Sequence, residues 1–227
     1  VADSHKHEPR PAWYALAAGG WRDYVTLLHP PYTAWHLSYV AVGAALSPTF
    51  SWTRLGAALL AFALALGVGA HALDELQGRP LRTRIPRSVL WALACASIAG
   101  AVAVGLYASA VWTWWLLPFV AVGAFLVFAY NLELFGGAFH SDLWFGLAWG
   151  ALPLLSAYVV QAGTIGWEAV VGALWATLTS LAQRTLSRPV REARRTRAQV
   201  EPMLENTLRL LTAATVALAV ALLALHL

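Results

Sequence analysis

Seven stretches of this chain, about 33–47, 55–76, 88–109, 112–131, 143–161, 168–183 and 210–226, carry almost no charge. An apolar run of about 18 residues or more is long enough to cross a bilayer as a helix. With 59% apolar and 11% charged residues, the chain lies far from soluble globular proteins, in which about a quarter of residues are charged. A soluble globular fold is excluded. Transmembrane barrels need short alternating strands separated by turns, whereas Leu55–Ala70 and Leu210–Leu225 are apolar on every face. The expected fold is all-α: a polytopic transmembrane helical bundle of about seven spans. It forms one domain over residues 32–227, behind an N-terminal cytoplasmic or interfacial segment, residues 1–31.

Seven spans place the N-terminus and the connections after spans two, four and six on one side. That side holds Lys6, Arg10 and Arg22, then Arg79, Arg82, Arg84 and Arg87, then Arg184, Arg188, Arg191, Arg194, Arg195, Arg197 and Arg209, which is 14 of the 15 Lys and Arg. Arg54 alone falls opposite. Cytoplasmic loops keep the positive charge, so the chain is expected to be an integral, multi-pass membrane protein with a cytoplasmic N-terminus and an extracytoplasmic C-terminus. The net charge of +4 then marks topology, and no nucleic-acid partner is implied; membrane lipids are the expected partners. The basic segment 184–209 contains a stretch, 188–205, that reads as an amphipathic helix at the cytoplasmic surface. The 19 Trp and Tyr cluster near predicted span ends, as at Trp112, Trp114, Trp115, Trp144, Trp149 and Trp167, where aromatic belts form. A single cysteine, Cys95, provides neither a disulfide nor a thiolate zinc site. The polar N-terminus lacks the basic-then-apolar order of a signal peptide.

Ionisable side chains within or beside a span are costly, so each one marks a candidate site. They are His36 in the first span, His71, Asp74 and Glu75 at the end of the second, Glu133 after the fourth, and His140 and Asp142 before the fifth. All fall toward the cytoplasmic side. On a helix, His71 shares one face with Asp74 (i, i+3) and Glu75 (i, i+4), a spacing that can offer nitrogen and oxygen to one metal ion. The alternative is a water-facing helix end in which the two acids pair with Arg79 or Arg82. The connection from Glu133 to Asp142 is the one on this side without Lys or Arg, and its acids and imidazole suit a cation. Asp142 also suits a helix cap, and His36 suits an interhelical hydrogen bond. Arg184, Arg188 and Arg191 can grip a phosphate or diphosphate, or mark topology alone.

The order of these features resembles the UbiA superfamily of intramembrane prenyltransferases. His29-Pro-Pro-Tyr-Thr-Ala-Trp running into Val42-Gly-Ala-Ala is similar to that family's first helix. His71–Pro86, with Gly-Arg-Pro-Leu-Arg-Thr-Arg-Ile-Pro, is similar to its first Asp-rich loop, and Tyr130 to Gly163 to its fourth-to-fifth helix region. The resemblance implies a UbiA-like bundle around a cavity in which Mg²⁺ and basic groups hold a polyprenyl diphosphate. Here the second Asp-rich region reads Gln183-Arg-Thr-Leu-Ser-Arg-Pro-Val-Arg-Glu192, with arginines where carboxylates are expected. It also implies two further helices, which the seven spans do not supply.

Three readings follow. In the first, the chain is a divergent UbiA-like enzyme of prenyl-transfer or cyclisation type acting on an isoprenoid or other lipid. Asp74, Glu75 and His140 are then catalytic, one divalent metal sits at His71, Asp74 and Glu75, and Arg79, Arg82, Arg184, Arg188 and Arg191 bind substrate. In the second, His36, His71, Asp74, Glu75, Glu133, His140 and Asp142 supply ligands for Zn or Fe in a hydrolase or oxidase, since imidazole with carboxylate suits those metals. The third is a non-catalytic subunit that binds a lipid, a pigment or a larger complex.

Overall fold

A computed structural model describes residues 10–227, and every regular element in them is helical. A short helix, α1 (Trp21–Leu27), precedes α2 (Pro30–Ala45). Five longer helices follow: α3 (Trp52–Leu76), α4 (Arg87–Val111), α5 (Trp114–Asn131), α6 (Asp142–Ala162) and α7 (Trp167–Arg195). The last is α8 (Pro202–Ala224). Among the described residues, five helices are long and apolar enough to cross a membrane: α3, α4, α5, α6 and α8. This agrees with an integral membrane protein. The other two expected spans differ in kind. α2 has 16 residues, about 24 Å at 1.5 Å per residue, against an apolar bilayer thickness of about 30 Å. α7 is long but ends in an arginine-rich third.

The shortness of α2 fits its position. Trp35, Tyr39, Val40, Val42 and Ala44 are all buried, because α2 lies inside the bundle against α3, α6 and α8. A helix that is apolar all round belongs in such a place. Close approach needs small residues: a Cβ on Gly43 would meet the Leu154 carbonyl oxygen at 2.1 Å, and one on Gly150 would meet that of Ala176 at 2.5 Å. Thus α6 nests against α2 on one side and α7 on the other, the small-residue packing by which membrane helices associate.

Both α3 and α6 contain a π-helical stretch, Ala63–Ala70 and Gly146–Ala151. In α6 the stretch ends just before Pro153, which has no N–H to donate to the Trp149 carbonyl four residues earlier. His36 Nδ1 donates to that carbonyl instead, at 2.9 Å. His36 is therefore an interhelical hydrogen-bond partner.

Several expectations are corrected. The stretch 188–205 is not a separate surface helix: α7 runs through Pro189 to Arg195, a short connection follows, and α8 begins at Pro202. Trp114, Trp115 and Trp167 are exposed at helix ends as belt residues should be, but Trp149 is buried among core side chains. Lys6, counted among the basic residues, lies outside the described residues. At the end opposite the arginines, Arg54 donates to the Gln161 and Val160 carbonyls at 2.7 and 3.3 Å, closing the C-terminus of α6.

Candidate functional site

The antiparallel order of the helices brings the C-terminal ends of α3, α5 and α7 and the N-terminal ends of α2, α6 and α8 to one end of the bundle. Asp74 (α3) faces its mouth. It lies within electrostatic reach of His140 in the connection 132–141 and of Arg191 and Arg184 in α7, with Glu75 opposing. Its carboxylate is half-buried and, among the described residues, accepts no hydrogen bond and closes no ion pair.

The adjacent Glu75 points elsewhere, and its expected catalytic and metal-binding roles are corrected by its partners. It is fully buried and accepts Leu81 N at 2.9 Å, Thr83 N at 2.8 Å and the Thr83 hydroxyl at 2.8 Å. These bonds fold the connection 77–86, in which Gly78, Arg79 and Arg82 take left-handed backbone conformations. Arg79 serves the same connection, donating to the Thr83 and Ile85 carbonyls at 3.1 and 2.7 Å, so it faces inward to its own loop. Asp23, buried in α1, accepts Arg84 N at 2.8 Å and Gly19 N at 2.9 Å. Arg82 is exposed on the same loop.

Arg184 forms the floor. Its Nε donates to Asp142 at 2.5 Å, another nitrogen donates to the Tyr130 hydroxyl at 2.6 Å, and the guanidinium lies 5.0 Å from the Phe145 ring centroid. Asp142 also takes a bond from Arg188, which is 62% exposed and turned outward. The cap of α6 is Ser141, which accepts Trp144 N at 3.3 Å. Asp142 therefore anchors α7 to α6 and is neither a cap nor a free ligand. Arg191 differs from both arginines. Its hydrogen bond goes to Ser187 at 2.8 Å; Arg184, Tyr32, Tyr130 and Asp74 lie within electrostatic reach, and among the described residues no carboxylate forms an ion pair with it. Desolvation first, and the Arg184 charge second, lower its pKa from the ordinary guanidinium value.

Three imidazoles are each oriented by a backbone carbonyl. His36, His71 and His140 each hold Nδ1 against a backbone carbonyl, of Trp149 at 2.9 Å, Gly67 at 3.1 Å and Tyr130 at 3.0 Å. A carbonyl only accepts, so Nδ1 carries a proton in each. His29 joins them from the head of α2, stacked on His71 with centroids 4.2 Å apart. Its Nδ1 meets the Tyr14 hydroxyl at 2.6 Å, and its Nε2 is buried without a partner. Burial, then the neighbouring His71, hold the His29 pKa well below the usual imidazole value, while burial raises that of Tyr14.

The expected metal centre is not assembled. Among the described residues no group of three or more His, Cys, Asp and Glu side chains lies close enough to hold a metal ion. Glu75 is occupied by its loop, Asp142 by two arginines, and Glu133 is 62% exposed with His140 3.9 Å away. What lies within electrostatic reach of one another instead is Asp74, His140, Arg184 and Arg191, with Tyr14, Tyr32 and Tyr130 near them. Sequence reading missed His29 and these tyrosines as site residues. The topology pointed to His29, since it precedes the first span on the basic side. Nothing marked Tyr14, which arrives from the N-terminal segment. A separate apolar cavity of about 90 Å³ lies between α3, α4 and α5, lined by Ala57, Ala61, Phe62, Ala101, Gly105 and Val120; it contains no ionisable group. No family model, curated protein or solved structure matches the chain.

Proposed function

We propose that the chain crosses the bilayer seven times with its basic end in the cytoplasm. We further propose that it is a divergent UbiA-like enzyme acting on an isoprenoid or other lipid phosphoester at that end. The observation that carries the reading is Asp74, half-buried and without a hydrogen bond or ion pair among the described residues, within electrostatic reach of Arg191, which among the described residues has no carboxylate hydrogen-bond partner. Charges near a membrane core that lack partners are expensive, and a phosphoester seated on Arg191, with Arg184 behind it, relieves part of that cost. Tyrosines and the apolar bundle below shield the reacting end of such a substrate from water.

The test is a reconstitution. Protein in lipid nanodiscs is offered polyprenyl phosphate, polyprenyl diphosphate and glycerophospholipids, with bound lipid and released phosphate or diphosphate measured. The expected result is retention of a phosphoester and its turnover, both reduced at least about tenfold in Arg191→Gln, the scale of one charge-assisted hydrogen bond. Retention without turnover would leave a lipid-binding subunit, and retention of no phosphoester would overturn the reading.

A further inference from the structure

We infer that the apolar cavity between α3, α4 and α5 is a binding site for one acyl chain of a bilayer phospholipid, separate from the phosphoester site proposed at the arginine end. The cavity has a volume of about 90 Å³ and is partly open. Its walls belong to α3, α4, α5 and α6, four of the helices long and apolar enough to cross a membrane. It therefore stands at bilayer depth.

The course of the helices makes the space. α5 packs on α3 mainly along the π-helical stretch Ala63–Ala70, whereas the half of α3 before it, Trp52–Phe62, packs on α2, α4 and α6. The two helices diverge away from the arginine end, and the cavity occupies the wedge between them. Ala57, Ala61 and Ala65 recur every four residues on one face of α3 and line it, as do Gly123 and Ala124 of α5. Small residues in membrane helices ordinarily permit close contact; these front a gap.

The chemistry of the wall selects the occupant. Among the lining residues only Ser156 has a polar side chain, and its hydroxyl already donates to the Leu152 carbonyl of α6 at 2.7 Å. A buried water needs about two to four polar partners, which these side chains do not offer, while an empty apolar hole leaves its lining atoms without dispersion contacts. Hydrocarbon supplies those contacts and asks for no hydrogen bond. At this depth acyl chains are the medium. The cavity is also set apart from the arginine end: Ala65 lies nine residues before Asp74, about 14 Å along the helix, and between the two places α3 and α4 close, since a Cβ on Gly69 would stand 2.7 Å from the Ile98 side chain. The occupant comes from the lipid around the other half of the bundle, where Leu60, Leu106 and Val122 of the same three helices are exposed.

The test is photolabelling. The full chain is placed in nanodiscs of phosphatidylcholine that carries a diazirine midway along one acyl chain, irradiated, and its adducts are mapped by peptide mass spectrometry. Adducts are expected on the cavity residues Ala61, Phe62 and Ala101 as well as on lipid-facing Leu106. Ala61→Leu and Ala101→Leu each add three carbons to the cavity. They should lower the cavity adducts about tenfold, the equivalent of excluding about two methylene groups, and leave those at Leu106 unchanged. Ala101→Val, which adds two carbons, is the milder variant should the larger ones fail to fold, and should give a smaller loss of the same kind. Cavity residues without adducts in the unaltered chain, or adducts that survive filling, overturn the proposal. So does labelling by a diazirine on a polyprenyl phosphate chain in place of the phospholipid chain. Arg191→Gln should leave the cavity adducts as they are, and their loss would join the two sites and overturn the separation proposed here. The phosphoester reading fails or stands on phosphoester retention, which none of the filling variants should alter.

Discussion

The two neighbouring acids of α3 divide structure from site, although sequence reading treats them as a pair. Glu75 holds three donors of the connection 77–86 inside the protein, whereas Asp74 holds none. Removing the acceptor from buried donors costs about 1–3 kcal/mol for each one left unsatisfied. Glu75→Ala should therefore lower the thermal unfolding midpoint in detergent markedly, and Asp74→Asn should leave it unchanged or raise it. Equal destabilisation by the two would contradict the division. The i, i+3 and i, i+4 spacing from His71 put both acids on one helix face but could not assign directions, because Glu75's partners are two amides and a hydroxyl that only the folded loop presents. His36 was hidden in the same way: its partner carbonyl is released by Pro153, more than a hundred residues away. His29 adds a pH dependence. Burial holds it neutral, with its pKa well below the ordinary imidazole value of about 6.5. Below that value the unfolded chain takes up a proton that the folded chain refuses, so stability falls as pH falls, by up to about 1.4 kcal/mol per pH unit. Unfolding followed from about pH 8 to about pH 5 should show this slope, and His29→Gln should reduce it.

The helices themselves were legible because a run of apolar residues bounded by charge is a local property of the chain. Starts and stops of α3, α4, α5 and α6 fall within three residues of the expected positions. α7 was not legible beyond residue 183, since Arg188-Pro189 reads as a helix end. The helix continues because its arginines are tied to neighbours: Arg184 and Arg188 to Asp142, and Arg194 to Glu205 at the head of α8. These tertiary contacts lie outside any local window, and they also place Arg191 at the mouth. The close contact between α2 and α6 supplies the prediction at this scale. Gly43→Val places side-chain carbon against the Leu154 backbone, which cannot retreat as a side chain would. Overpacking of this kind costs about 1–3 kcal/mol, and because α2 carries His36 and leads from His29, the mouth should distort with it. A lower unfolding midpoint together with weaker lipid retention is the expected result; an unaltered midpoint would mean that the two helices are further apart.

On the scale of the whole molecule, the segregation of arginine motivates the proposed orientation as well as the proposed site, and the two stand or fall separately. In the proposed arrangement, with α2 and α7 counted as spans and the basic end in the cytoplasm, the connections 46–51 and 163–166 would lie outside the cell, and 77–86 and 132–141 inside. Counting only the five helices that satisfy length and hydropathy leaves the sides of these connections unassigned, so accessibility decides. The chain has one cysteine, Cys95 on the lipid-facing side of α4, and Cys95→Ala provides a background without thiols. On it, Thr49→Cys and Ile165→Cys should react with a membrane-impermeant maleimide in intact bacterial spheroplasts. Gly78→Cys and Gly136→Cys should react only after permeabilisation. Reaction of all four from outside would break the seven-span arrangement, since α3 and α6 each join one outer to one inner position. If the four reverse as a set, the span count survives but the orientation does not, and Asp74 and Arg191 would open to the outer face. The proposed lipid-phosphoester site would be unchanged by that reversal, because it depends on which helix ends meet and not on which compartment they meet in; only the leaflet from which a lipid would enter would differ.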